Sequence, residues 1–289
     1  MIMSYCRSLC LIAALALAIP SLAGCRKTDG NAPAAAAQQS SLARIRQQGV
    51  LRWGADPSGG APFVYFDPND PNKIIGFEVD MMDKLAAHMG VKHEIVRGDW
   101  AGLLDNMLAR RTDLVVNGIE INEERKKRLL FSEPYYIYEQ QLTVRVEDKD
   151  KYKSLDDLKG KPISTLNAAE ANNVLKSAGF TDDLIHPYDD SLTPYNEVEL
   201  KRVEACLQES IIAAFYAGRN PKLYVVPQTF SSGVYGIAFR KEDADLKDEV
   251  NRALAEMKAN GELAEIYKNW GILTEKQTEL GTARKPPAK

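Results

Sequence analysis

Arg125, Glu120 and Glu209 are the residues whose type and spacing suggest chemistry. Arg125 lies three positions after Asn122 in the run NEERKKRLL. Asparagine is a strong helix cap, so Arg125 falls in the first turn, among backbone N–H groups with no helical partner. A cation there opposes the helix dipole and gains nothing from local helix stability. An anion held jointly by the guanidinium and those N–H groups would reverse that sign. The other reading is an arginine that bends back to pair with Glu123 or another surface carboxylate.

A short internal echo links this stretch to a second one. LARRTDLVVNGIE, ending at Glu120, and LKRVEACLQESI, which contains Glu209, share a basic pair, an acid, an apolar strand and then polar residues. The echo places Gly118–Glu120 and Glu209–Ser210 at equivalent strand ends. Open α/β sheets bind ligands at the carboxyl ends of their strands, so two such ends facing each other make a cleft. Asp56, at the end of the first strand, either reaches a polar group of a ligand or forms a turn before Pro57.

The elements that position these residues follow from periodicity. Val50 to Ala55, Val91 to Val96 and the run opening at Asp113 read as strands. Phe77, Met81, Met82, Leu85 and Met89 mark the helix between the first two, and a helix from Trp100 to Arg110 carries Leu103, Leu104, Met107 and Leu108. Alternating strands and helices predict a mostly parallel sheet with helices on both faces. A second unit repeats the pattern, with Tyr138 to Val146 and Val234 to Arg240 as the two crossings. The helix after Asn122 is expected to run through EERKKRLL and stop before Pro134.

The run GIEINEERKKRLLFSEPYY, residues 118–136, resembles the signature of the bacterial family 3 solute-binding proteins, the amino-acid-binding receptors of ABC transporters. The likeness extends from about Leu51 to Leu273. It implies a two-lobed α/β fold of the periplasmic-binding-protein type 2, with a two-strand hinge. The implied parts are 1–24 as signal peptide, 25–43 as tether, 44–140 with 234–274 as lobe 1, 141–233 as lobe 2, and 275–289 as a frayed tail.

In that family Arg125 would hold a ligand's α-carboxylate and Glu209 its α-ammonium, where an aspartate is usual. Glu120 stands where many members have Ser or Thr. Trp100 and Phe63 resemble the family's aromatic walls, although Phe63 is equally a core residue. Many members carry Gly-Thr-Thr where this chain has Asn167-Ala168-Ala169-Glu170. The hydroxyl is missing, and Asn167 is left as the expected cap of a helix whose amides face the cleft. The implied function is binding of an amino acid, polar or cationic, with closure of the lobes and docking on an ABC permease. Replacing Arg125 should then abolish ligand stabilisation and leave the unliganded fold intact. The rival is a cyclohexadienyl dehydratase-like enzyme using Glu120 or Glu170 as general acid.

Composition is that of an ordinary soluble globular protein. The 289-residue chain carries a net charge of −3, with 45% hydrophobic and 27% charged residues, which is ordinary for a globular fold and gives nucleic acid no basic surface. Leu9 to Ile19 is apolar but short for a membrane span. Leu22-Ala23-Gly24-Cys25 resembles a bacterial lipobox, which implies cleavage before Cys25 and a lipid anchor on it at the cell envelope. Cys6 and Cys10 would leave with the leader, so Cys206 remains without a disulfide partner. His88, His93 and His186 stand in no metal-binding or catalytic motif; no cofactor is expected, and the protein should be a monomer.

Overall fold

The computed structural model describes residues 39–281. The leader, Cys25 and most of the expected tether lie outside them, as do residues 282–289. The chain opens on α1 (Ser41–Gln48), capped by the Ser40 hydroxyl and ended by Gly49. This helix begins inside the stretch expected to be a tether.

Two five-stranded sheets form the framework. The first comprises β1 (Val50–Ala55), β4 (Lys92–Arg97), β5 (Leu114–Val115), β6 (Leu130–Phe131) and β12 (Ala238–Phe239), in the order β4-β1-β5-β12-β6. β1 runs parallel to β4 and β5, while β12 is antiparallel to β5 and β6. A hairpin of β2 (Tyr65–Asp67) and β3 (Asp70–Ile75) lies between β1 and the next helix. α2 (Phe77–Met89) buries the five apolar residues that define its stripe.

The second sheet has the order β11-β7-β10-β8-β9. It contains β7 (Tyr136–Arg145), β8 (Ile163–Leu166), β9 (Ile185–Tyr188), β10 (Ala205–Glu209) and β11 (Leu223–Tyr235). β8 is parallel to β9 and β10, and β7 is antiparallel to β10 and β11. The long pair β7 and β11, which runs from Tyr136 opposite Tyr235 to Arg145 opposite Leu223, makes the two crossings. The return crossing is therefore one strand ending at Tyr235, with register shifts between Val225 and Ser231, and not the expected run from Val234 to Arg240.

Helices pack on both sheets: α3 (Leu103–Leu108), α4 (Glu123–Arg128), α5 (Glu170–Ser177), α6 (Thr193–Glu199), α7 (Ser210–Tyr216), α8 (Ala244–Asn260) and α9 (Glu262–Asn269). α4 is shorter than expected. Leu129 turns to extended backbone, and Leu130 and Phe131 pair with β12, so burial of that apolar run overrides helix propensity. The segment read as a frayed tail packs at least as far as Leu280. It forms a 3-10 turn, and Gln277 accepts from the Ile137 amide at 2.9 Å and donates to the Ile137 carbonyl at 2.9 Å. No helix among the described residues is long and apolar enough to cross a membrane.

Candidate ligand-binding cleft

The carboxyl ends of strands from both sheets converge on a cleft of about 390 Å³, lined among others by Asp56, Phe63, Trp100, Gly118 and Glu209. All five are residues that sequence reasoning proposed. Asp56 follows β1 and forms the turn suggested for it. Its Oδ1 accepts from the Ser58 amide at 2.9 Å, making a turn, while Oδ2 accepts from the Trp100 amide at 3.0 Å on the cleft wall. Its own amide donates to Asn117 Oδ1 at 2.6 Å, tying the ends of β1 and β5 together.

Phe63 is 4% exposed, with its ring 5.4 Å from Phe77 and 5.5 Å from Tyr235. It is thus core and wall at once. Gly118 has φ +60°, and a Cβ there would stand 2.8 Å from the Phe63 ring, so only glycine lets the chain pass under that wall. Trp100 is half-buried and reaches across to the second sheet, where its Nε1 donates to the Asn167 carbonyl at 2.8 Å.

Arg125 does not line that cleft. It lies beyond Trp100, its guanidinium carbon 5.8 Å from the indole ring, and borders a neighbouring space of about 280 Å³ with Ala168. Asn122 caps α4 as expected, accepting from the Arg125 amide at 2.9 Å. Of the two readings of Arg125, pairing with a carboxylate of the chain is realised. The partner is the buried Glu120 rather than Glu123, with a second bond from Arg125 Nη1 to the Glu120 carbonyl at 3.0 Å. Arg125 Nη2 donates to the Ala168 carbonyl at 3.1 Å. Burial works against the charge on Arg125, and Glu120 beside it more than offsets that, leaving its pKa above the ordinary value.

Glu209 ends β10 at the start of α7 and is 3% exposed. Burial, reinforced by the neighbouring Glu120, pushes its pKa up to about 8. Glu120 therefore stands between Arg125 and Glu209, touching both. The internal echo predicts this meeting of strand ends.

At the start of α5 the expected cap is wrong. Ala169 occupies the cap position without a side-chain bond, and Asn167 instead donates to Asp189 Oδ1 at 3.1 Å. Ala168 adopts φ +54°, where an L residue costs about 1–2 kcal/mol relative to right-handed backbone. This conformation accompanies the carbonyl contact with Arg125. Ala168→Gly should relieve the strain, less about 0.5–1 kcal/mol of added chain entropy, and raise the melting temperature by a few degrees. Calorimetry checks this; a lowered melting temperature would contradict it.

Several cleft residues escaped sequence reasoning. Asp189 and Ser191 follow β9, a strand of only four residues interrupted by Pro187 that carries no clear strand pattern; the strand-end rule points to them once β9 is known. Tyr235 ends β11, and its Oη has no hydrogen-bond partner among the described residues. Glu78 is fully buried, and its Oε1 accepts from the Gly118 amide at 2.7 Å and from the Tyr135 hydroxyl, fixing the turn at Gly118. Burial raises its pKa to about 7. Cys206 is buried and free, and burial pushes its thiol up to about 12, away from reactivity. No metal-binding cluster of three or more His, Cys, Asp or Glu occurs among the described residues.

Two sheets joined by a pair of long antiparallel strands, with acids and aromatics at their facing ends, define a two-lobed α/β binding protein. The chain matches the model for bacterial extracellular solute-binding proteins, family 3, over residues 51–272 and belongs to that family. It is 32% identical over 235 residues to the L-cystine-binding protein TcyJ of Escherichia coli (strain K12), covering 81% of this chain and 87% of that one. Among solved structures it resembles the arginine-, lysine-, histidine-binding protein ArtJ from Geobacillus stearothermophilus (TM-score 0.72, 30% identity, 80% of this chain and 98% of that one). It also resembles the ancestral amino acid-binding protein AncCDT-1, a precursor of cyclohexadienyl dehydratase (TM-score 0.73, 31% identity, 80% and 99% coverage).

Proposed function

We propose that this protein is the substrate-binding component of an ABC importer, tethered to the cell envelope by a lipid on Cys25, and that it takes a cationic or polar amino acid into the interlobe cleft. One observation carries the ligand class: the cleft presents the carboxyl-bearing residues Asp56, Asp189 and Glu209 beside Phe63, Trp100 and Tyr235, and among the described residues no lysine or arginine lines it. Carboxylates beside aromatic faces suit an ammonium or guanidinium group. Beside the cleft, Arg125 and the first amide of α5 both hold the Glu120 carboxylate. Asn167 and Ala168 of one lobe already accept from Trp100 and Arg125 of the other, and a bound ligand would favour this closed arrangement. The closed monomer would then dock on a permease supplied by other chains.

A thermal-shift panel of the amino acids tests this. L-Arginine or L-lysine should raise the melting temperature most; the largest rise from L-aspartate or L-glutamate, or none from any amino acid, would overturn the reading. The dehydratase alternative needs Glu120 or Glu170 free to donate a proton. Glu120 instead accepts from Arg125 and from the Glu170 amide at 3.0 Å. Glu170 Oε2 accepts from Asn122 and Asn173, each at 3.1 Å. The receptor reading is the better supported.

A further inference from the structure

The carboxylate of Glu120 sits in an anion-binding geometry. The residue is 1% exposed. Its Oε2 pairs with Arg125 Nη1, and its Oε1 accepts from the Glu170 amide at 3.0 Å, the first amide of the eight-residue helix α5. A guanidinium from one lobe and a helix-start amide from the other are the donors that a ligand's carboxylate would seek. Here the protein's own side chain engages both. Arg125 spends its remaining directed bonds on the Glu120 and Ala168 carbonyls at 3.0 and 3.1 Å. The adjoining cleft adds the acidic side chains of Asp56 and Asp189 and, among the described residues, no compensating cation.

Resting on the cationic-ligand reading above, we propose that Glu120 is a resident occupant of the carboxylate-binding position and decides specificity. A ligand's carboxylate must displace it, so the protein selects its ligand by the cationic end. Decarboxylated amines then bind about as well as the parent amino acids. Removing the Glu120 side chain frees Arg125 and the Glu170 amide and restores a preference for the carboxylate. A charge-assisted pair of this kind supports discrimination of tenfold or more.

The test is calorimetric titration of the full chain with L-arginine and with agmatine, its decarboxylated analogue. In the wild type the two affinities should agree within about threefold. In Glu120→Ala the preference for L-arginine over agmatine should rise by tenfold or more relative to wild type. A smaller rise overturns the proposal. Should Glu120→Ala fail to fold, Glu120→Gln, which keeps the side-chain volume and loses the charge, is held to the same criterion. Binding of neither probe to the wild type would defeat the cationic-ligand reading and this inference with it. Binding with an unchanged preference defeats the inference alone.

Discussion

Replacing Arg125 by alanine lowers the thermal unfolding midpoint by about 10 °C, and removing the Glu120 side chain as well restores most of the loss. Both members of the pair are shielded, with side-chain exposures of 15% and 1%. Taking away the guanidinium leaves the Glu120 carboxylate buried against Tyr138 and Glu209 without its cation, held by the Glu170 amide and the Glu209 side chain. Breaking a buried pair from one side costs about 3–5 kcal/mol because the surviving charge has lost its partner. In the double variant no charge is stranded, so what remains is chiefly the cavity and the lost contact between lobes. Differential scanning calorimetry of Arg125→Ala, Glu120→Ala and the double variant decides it. A single variant within 2 °C of wild type would contradict the expectation. The sequence alone suggested that Arg125→Ala spares the unliganded fold; the buried partner reverses that expectation.

Glu209→Gln should weaken L-arginine binding by about 100-fold and abolish its pH dependence. With a pKa raised to about 8, Glu209 holds its proton in the free protein at neutral pH. A bound cation favours the ionised carboxylate, so binding expels that proton. Affinity for a cation therefore rises with pH, by up to about tenfold per unit, and levels off above pH 8. The same shift acts on stability with the opposite sign. The unfolded chain releases its proton near 4.5 and the folded one near 8, so the folded state binds more protons between those values. The ligand-free protein thus loses stability as pH rises through that window. Glu78, raised to about 7 by burial, adds to the trend over the lower part of the window. Calorimetric titration between pH 6 and 9 reads the binding effect directly. A flat wild-type profile, or a slope retained in Glu209→Gln, would contradict this account.

Periodicity, capping chemistry and strand-end logic were enough to derive much of this molecule from its residues. The stripe from Phe77 to Met89 dictates α2 because every fourth or third side chain must leave water. Asn122 dictates the start of α4, and the echo between LVVNGIE and ACLQES matches the contact between Glu120 and Glu209 at two strand ends. Local sequence carries these features because each is settled within a few residues of chain.

Other features are settled only by contacts distant in sequence. α4 yields its last turn because β12, more than one hundred residues on, offers Leu130 and Phe131 a place in the sheet. Cap identity at α5 moves from Asn167 to Ala169 because Asp189 and Trp100 claim Asn167. Gln277 anchors a segment whose composition suggests fraying, since the Ile137 backbone on the crossing strand needs a partner. Arg125 pairs with Glu120 and not with Glu123 because burial, which no local pattern encodes, makes the shielded carboxylate the more demanding neighbour.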